Sequence, residues 1–292
     1  ALFQGQNRPS GVALSYWVNN EEVKKISKHT TDSTNGKKTK DSLFLKIYQG
    51  DKLVRTLQKE IPEEHGIYHW RWYMDAKGGT WIRRNPRESK QESGGGYLSP
   101  GIYEAELSMG NNDETKYQCT RQKITINPDP RIKGISTQGA EKAMAMMDKA
   151  QSLSEEINGI LSKIKSDKEG LERLKKDLKL QEDEDHQALL NEIKELDKAL
   201  TELQDLYVGK QDERQGITAE AAPSVADRIR QHYSYLRSRP DGPTQTEIQL
   251  WQHTQEAAAE AQQKVNEFYN TTWKAFTQKI SEVTIPYFKP AQ

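Results

Sequence analysis

Apolar residues alternate in twos over the first 130 positions and recur in threes and fours after about residue 136. Val12, Leu14, Tyr16 and Val18 alternate with Ala13, Ser15, Trp17 and Asn19, the period of a strand with one buried face. That register sets Trp17 off the apolar side. A charged stretch from Asn19 to Lys40, including Asn35-Gly36, predicts turns. Alternation resumes at Leu43, Leu45 and Ile47, turns at Tyr48–Lys52, and continues through Leu53, Arg55 and Leu57. Residues 66–74 form an aromatic strand. Ser99-Pro100-Gly101 predicts a turn before Ile102, Tyr103, Ala105 and Leu107, and Asn111–Asp113 a hairpin into Lys116–Ile126. The Gly-, Arg- and Ser-rich stretch between Ala76 and Leu98 reads as a long loop. Short strands at this turn spacing predict an antiparallel β-sandwich over residues 1–130.

Asn127-Pro128-Asp129-Pro130-Arg131 ends the sheet, because proline donates no ladder hydrogen bond and extends the residue before it. Residues 131–292 predict helices. Ser136-Thr137-Gln138 are capping residues for the first. Met146, Ala150, Leu153, Ile157, Ile160, Ile164, Leu171, Leu174 and Leu178 follow heptad spacing, broken where Asp167 takes an apolar slot. After the acidic run 182–185, Leu189, Ile193, Leu196, Leu200, Leu203 and Tyr207 repeat the spacing. A third helix, with Pro223 in its first turn, carries Val225, Ile229 and Leu236 and stops at Arg239–Pro243. The last opens on a Thr244–Glu247 capping box, carries Ile248, Trp251, Ala258, Ala261, Val265, Phe268, Phe276 and Ile280, and ends before Pro286. The fold class is thus α+β and multidomain: a sandwich, then an antiparallel helical bundle or coiled-coil hairpin.

Charge narrows the partners. The 43 basic residues equal the 43 acidic ones, which argues against nucleic acid or an anionic membrane. Only 34% of residues are hydrophobic, which suits thin cores. One cysteine, Cys119, excludes an intrachain disulfide framework and a multi-cysteine metal site. No segment has the ~20 apolar residues of a membrane span. The N-terminal ALFQGQNRPSG lacks the pattern of a signal peptide and reads as the interior of a longer chain.

Catalytic motifs are not found. The six histidines form no HExxH, and His65 and His69, four apart, straddle a turn at Gly66. No GxGxxG, GxxxxGK[ST] or GxSxG occurs, and Gly94-Gly95-Gly96 reads as a loop. No metal and no cofactor are expected. The concentrated feature is aromatic and basic: Tyr68, Trp70, Trp72, Tyr73 and Trp81 with Arg71, Arg83, Arg84 and Arg87. Tryptophan and arginine dominate interface hot spots, so this is the candidate contact surface. The bland alternative is that Trp70 and Trp72 line one strand face and pack the sandwich.

Several segments together resemble a known family. Asn7–Val18, Leu43–Leu57, Gly66–Met74, Ser99–Leu107 and Pro128–Arg131, followed by a helical tail, resemble the C-terminal region of bacterial sortilin-type, sialidase-like (BNR-repeat) β-propeller proteins of the glycosyl hydrolase-like kind. The resemblance spans nearly the whole chain. It implies an immunoglobulin- or fibronectin-like sandwich, then a helical bundle after Asp-Pro-Arg. Trp72 matches the family tryptophan, whereas Tyr73 stands where the family has Asp. The propeller repeats are missing from this sequence, so the resemblance puts any activity elsewhere. It also implies export to the periplasm or cell surface of a Gram-negative bacterium, with Ser33 and Ser42 as candidate O-glycosylation sites.

The expectation is a non-enzymatic accessory region of a larger envelope protein, docking a β-propeller or another envelope protein through Trp70, Trp72, Tyr73, Trp81, Arg83, Arg84 and Tyr97. The alternative is a carbohydrate-binding module in which Trp70, Trp72, Trp81 and Tyr97 stack on sugar rings. A hydrolase fragment would instead need convergent carboxylates in a pocket.

Overall fold

A computed structural model describes Gly5 and residues 10–28, 41–86, 92–111, 114–131, 137–179, 186–210, 222–238 and 241–282. Ser33, Asn35-Gly36, Arg87, Asn112-Asp113, Ser136, the acidic run 182–185, Arg239-Pro240 and Pro286 lie outside the described residues. The chain is α+β, with antiparallel sheets first and a helical region after them. It divides into two compact units. One comprises Ala1–Gly79, Ser89–Ala145 and Pro240–Gly242; the other comprises Thr80–Glu88, Met146–Arg239 and Pro243–Gln292.

In the first unit, β1 (Val12–Val18) pairs antiparallel with β4 (Gly66–Trp72). A five-stranded sheet runs β3 (Lys52–Glu60), β2 (Ser42–Gln49), β7 (Gly101–Gly110), with β8 (Thr115–Gln118) and β9 (Gln122–Ile126) both on β7. The expected strand 116–126 is therefore broken at Cys119–Arg121, where the Cys119 N–H still reaches the Leu107 carbonyl at 2.8 Å. Leu43, Leu45 and Ile47 of β2 bury with Tyr103, Ala105 and Met109 of β7 and with Trp70 and Trp72 of β4. Leu14 and Tyr16 of β1 pack against the same cluster. Period-2 alternation thus turns one side of the β1–β4 ribbon onto the larger sheet.

Two stretches differ from expectation. Part of the charged stretch after Asn19 is a helix, α1 (Asn20–Lys28). The Asn19 side chain accepts the Glu21 N–H at 3.1 Å, and Glu21 and Glu22 oppose the dipole in the first turn. Val23 and Ile26, three apart, pack on the sheet core; two apolar residues among so many charges gave little periodic signal. The expected 76–98 loop instead contains β5 (Asp75–Gly78) paired with β6 (Ser93–Tyr97). Glycine serves close approach here: a Cβ on Gly94 would lie 2.7 Å from Asp75 Oδ2, and one on Gly95 2.6 Å from the Lys77 carbonyl. Buried Arg55 of β3 ties the ribbon down, donating to the Ser93 carbonyl at 2.5 Å and lying 3.6 Å from Asp75 and 3.5 Å from Glu92.

The second unit is built from α2 (Thr137–Lys179, from Met146 onward), α3 (His186–Val208), α4 (Val225–Ser238) and α5 (Gln245–Phe268). A π-turn at Tyr269–Trp273 leads from α5 into α6 (Lys274–Glu282). The heptad residues Ile157, Ile164, Leu171 and Leu178 bury with Ile193, Leu196, Leu200, Ile229 and Val265 in one cluster; Leu161, outside the expected seam, is buried with them, while Ile160 is only partly buried. Asp167 breaks the heptad because it accepts the Tyr269 hydroxyl at 2.6 Å and the Lys163 ammonium at 2.9 Å. The third helix begins at Val225, so Pro223 precedes the cap rather than sitting in the first turn, and the cap is the Ser-x-x-Asp motif at 224–227. Ser224 Oγ accepts the Asp227 N–H, and the Asp227 carboxylate accepts the Ser224 N–H, each at 3.2 Å.

Candidate interaction surfaces

The seven residues singled out as a contact surface do not form one cluster. Trp70 and Trp72 are core residues. Trp72 has no exposed surface; its Nε1 donates to the Asp75 carbonyl at 3.1 Å and its ring meets Tyr103 edge-on at 6.4 Å. Neither ring offers a face to a glycan or a partner, so the expectation fails for these two. Strand alternation had indicated as much: both share the parity that faces the five-stranded sheet.

Trp81, Arg83 and Arg84 belong to the helical unit, as part of Thr80–Glu88. Trp81 meets Tyr233 of α4 edge-on at 5.1 Å and keeps 39% of its surface. Ile82, not singled out from the sequence, is buried in the helical core. Asn158 of α2 holds the backbone of this irregular segment, donating to the Thr80 and Trp81 carbonyls at 3.1 and 3.3 Å and accepting the Arg83 N–H at 3.4 Å. The Arg84 guanidinium donates to Asp205 at 2.6 Å, the Gly209 carbonyl at 2.5 Å and Gln204 at 3.2 Å. Gln204 returns a bond to the Arg84 carbonyl at 2.5 Å. The aromatic-basic signal was real, but most of it holds the chain together.

Tyr73 and Tyr97 are about half exposed, 53% and 55%. Both border one backbone tie, the Leu98 N–H to the Met74 carbonyl at 2.8 Å, and Asp75 pairs directly with Tyr97. Met74 between Tyr73 and β5 has φ of 58°, uncommon for a residue with a side chain and costly unless its surroundings hold it. This corner therefore carries two accessible aromatic faces and two hydroxyls on a fixed backbone. Such groups stack on sugars or anchor protein interfaces. A second exposed feature lies on the outer side of the β1–β4 ribbon, where Trp17 and Ile67 stand opposite one another.

Several buried ionisable groups are paired for structure. Asp41 holds Lys116 at 2.9 Å, and Glu106 accepts Arg121 at 3.2 Å while that guanidinium lies 3.7 Å over the Tyr48 ring. Glu247 caps α5 through the Thr244 N–H and hydroxyl. The Tyr103 hydroxyl donates to the Ser99 carbonyl at 2.8 Å, and burial, with Glu141 adding to it, raises its pKa. His65 accepts the Asn20 N–H at 3.2 Å, whereas His69 bonds Ser15 at 3.0 Å, so the two are engaged separately. Ser42 opens β2 and accepts the Gln58 amide at 3.1 Å.

Open grooves of about 640 and 760 Å³ lie among the described residues of the helical unit. The first includes Asp148, Glu156, Tyr207 and Trp251; burial, then Glu156, pushes the Tyr207 pKa up to about 12. The second mixes Lys165, Lys168 and Arg173 with Glu169, Glu172 and Asp197. Among the described residues, no group of three or more His, Cys, Asp or Glu could hold a metal. No described helix is long and apolar enough to cross a membrane. No family model, curated protein or solved structure matches the chain.

Proposed function

We propose that this chain is a non-catalytic interaction region of a larger exported envelope protein, docking a sialidase-like β-propeller or another envelope protein. The observation that carries the reading is the use made of its reactive side chains. Arg55, Asp75, Lys116, Asp41, Glu106 and Glu247 are spent on internal pairs and caps, while the Tyr73–Tyr97 corner keeps its aromatic surface outward. Docking needs anchored aromatic faces; hydrolysis needs carboxylates converging on a substrate.

In this reading the first unit is an immunoglobulin-like sandwich and the second an antiparallel bundle. Two contacts support the sandwich. Tyr103 bonds a backbone carbonyl four residues upstream, the contact of a tyrosine corner, and Trp72 is buried against it. Both fall on the Pro-Gly-x-Tyr and tryptophan positions of the family resemblance. Ser33 and Ser42 are the O-glycosylation candidates of an exported chain. Glycan stacking on Tyr97 of the first unit or, separately, on Trp81 of the second is the second reading, favoured by their partly exposed rings.

A photo-crosslinking residue placed at Tyr73 or Tyr97 in the native host tests the proposal. Crosslinks to a propeller-bearing or other envelope protein are expected. A glycan-array response abolished by Tyr97→Ala, without protein crosslinks, would favour the second reading; neither signal would dismiss both.

A further inference from the structure

The outer side of the β1–β4 ribbon is built in three cross-strand rows: Ala13 with Arg71, Ser15 with His69, and Trp17 with Ile67. The inner side of the same strands is core. Trp17 is 65% exposed and Ile67 71%. An aromatic opposite a β-branched residue supports a ribbon, but that contact covers only one flank of each side chain.

We infer that this face pairs with a second copy of the chain, ribbon against ribbon, with the two-fold axis at Trp17 and Ile67. Three observations select that occupant. An apolar pair is self-complementary, as an isologous interface requires. The three rows contain one formal cation, Arg71, and no carboxylate to ask for a basic partner. Arg71 lies four residues along β4 from Ile67, about 13 Å at strand rise. With the ribbons antiparallel about that axis, the two Arg71 side chains fall some 26 Å apart, beyond the ~8–10 Å screening length, so like charges do not oppose the contact.

Area sets the strength. A tryptophan covers up to ~250 Å², so Trp17 offers roughly 160 Å², and Ile67 adds roughly 90 Å². A stable interface takes ~800 Å² from each partner. The apolar pair supplies about a third of that and the two polar rows add less, which fits a weak, transient dimer.

Sedimentation equilibrium of the whole chain from about 1 μM to 1 mM tests this. The mass should climb from the 33.5 kDa monomer toward twice that value. Trp17→Thr and, separately, Ile67→Thr should each weaken association at least tenfold. Threonine keeps strand propensity, and near-ultraviolet circular dichroism from the buried Trp72 checks folding in each. A monomer at every concentration overturns the inference. So does association that both substitutions leave unchanged, since the contact would then lie elsewhere.

Discussion

His232 should make the helical unit acid-sensitive. Its ring is fully buried in α4, stacked on Trp251 at 5.2 Å, and neither ring nitrogen has a hydrogen-bond partner. Burial lowers its pKa from the ordinary 6.5; the charge and backbone of Glu247 oppose that shift without reversing it. The folded state therefore holds the ring neutral, while the unfolded chain takes up a proton near pH 6.5. Stability from this group is present above that pH and falls as pH drops through it, by up to ~1.4 kcal/mol per unit, until the folded-state pKa is reached. Between pH 7 and pH 5 the loss is at most about 2 kcal/mol, or roughly 1 M in urea midpoint. Urea unfolding followed by helical circular dichroism at both pH values, on the native chain and on His232→Leu, isolates the effect. Other carboxylates titrate in both proteins and cancel. His232→Leu should be the less acid-sensitive of the two and no less stable at pH 7, since it removes two unpaired buried nitrogens. Equal acid sensitivity in the two proteins would refute the reasoning.

Ile82→Ala should destabilise the helical unit by about 2–4 kcal/mol in the same urea assay; a change under ~0.5 kcal/mol would mean residues 80–86 are a solvent-facing loop. Arg84→Met should cost about 1–3 kcal/mol by leaving Asp205 and Gln204 without their donor, and Asp205→Asn in that background should recover part of the loss. Asp129 is held at about 2, below its ordinary 3.8, first by the Arg131 side chain and then by the Arg131 N–H. Carboxyl NMR should find that midpoint, and Arg131→Lys should raise it because lysine has no fork to grip both oxygens.

Local periodicity carried the strands, the long helices and the Thr244–Glu247 cap, because strand and helix repeats are set by backbone geometry. Asp167 was visible as a heptad fault, but its reason, Tyr269 more than a hundred residues away, was not. Composition misled over one stretch. Glycine and arginine between Ala76 and Leu98 suggested a loop, yet the glycines there allow close strand contact and the arginine at 84 grips α3. The candidate surface was half legible. Alternation alone could have moved Trp70 and Trp72 into the core, and the same rule places Ile67 outward beside Trp17. The Tyr73–Tyr97 corner depends on β5 pairing with β6, which no local pattern announced.

Hydroxyl-radical footprinting of aromatic residues tests the central claim most directly, because it reads which rings the protein spends on its fold and which it offers outward. Trp17, Tyr73 and Tyr97 should oxidise readily, and Trp70 and Trp72 should be protected until the chain unfolds. Oxidation of Trp70 and Trp72 in the folded protein at the rate of Trp17 would contradict the account.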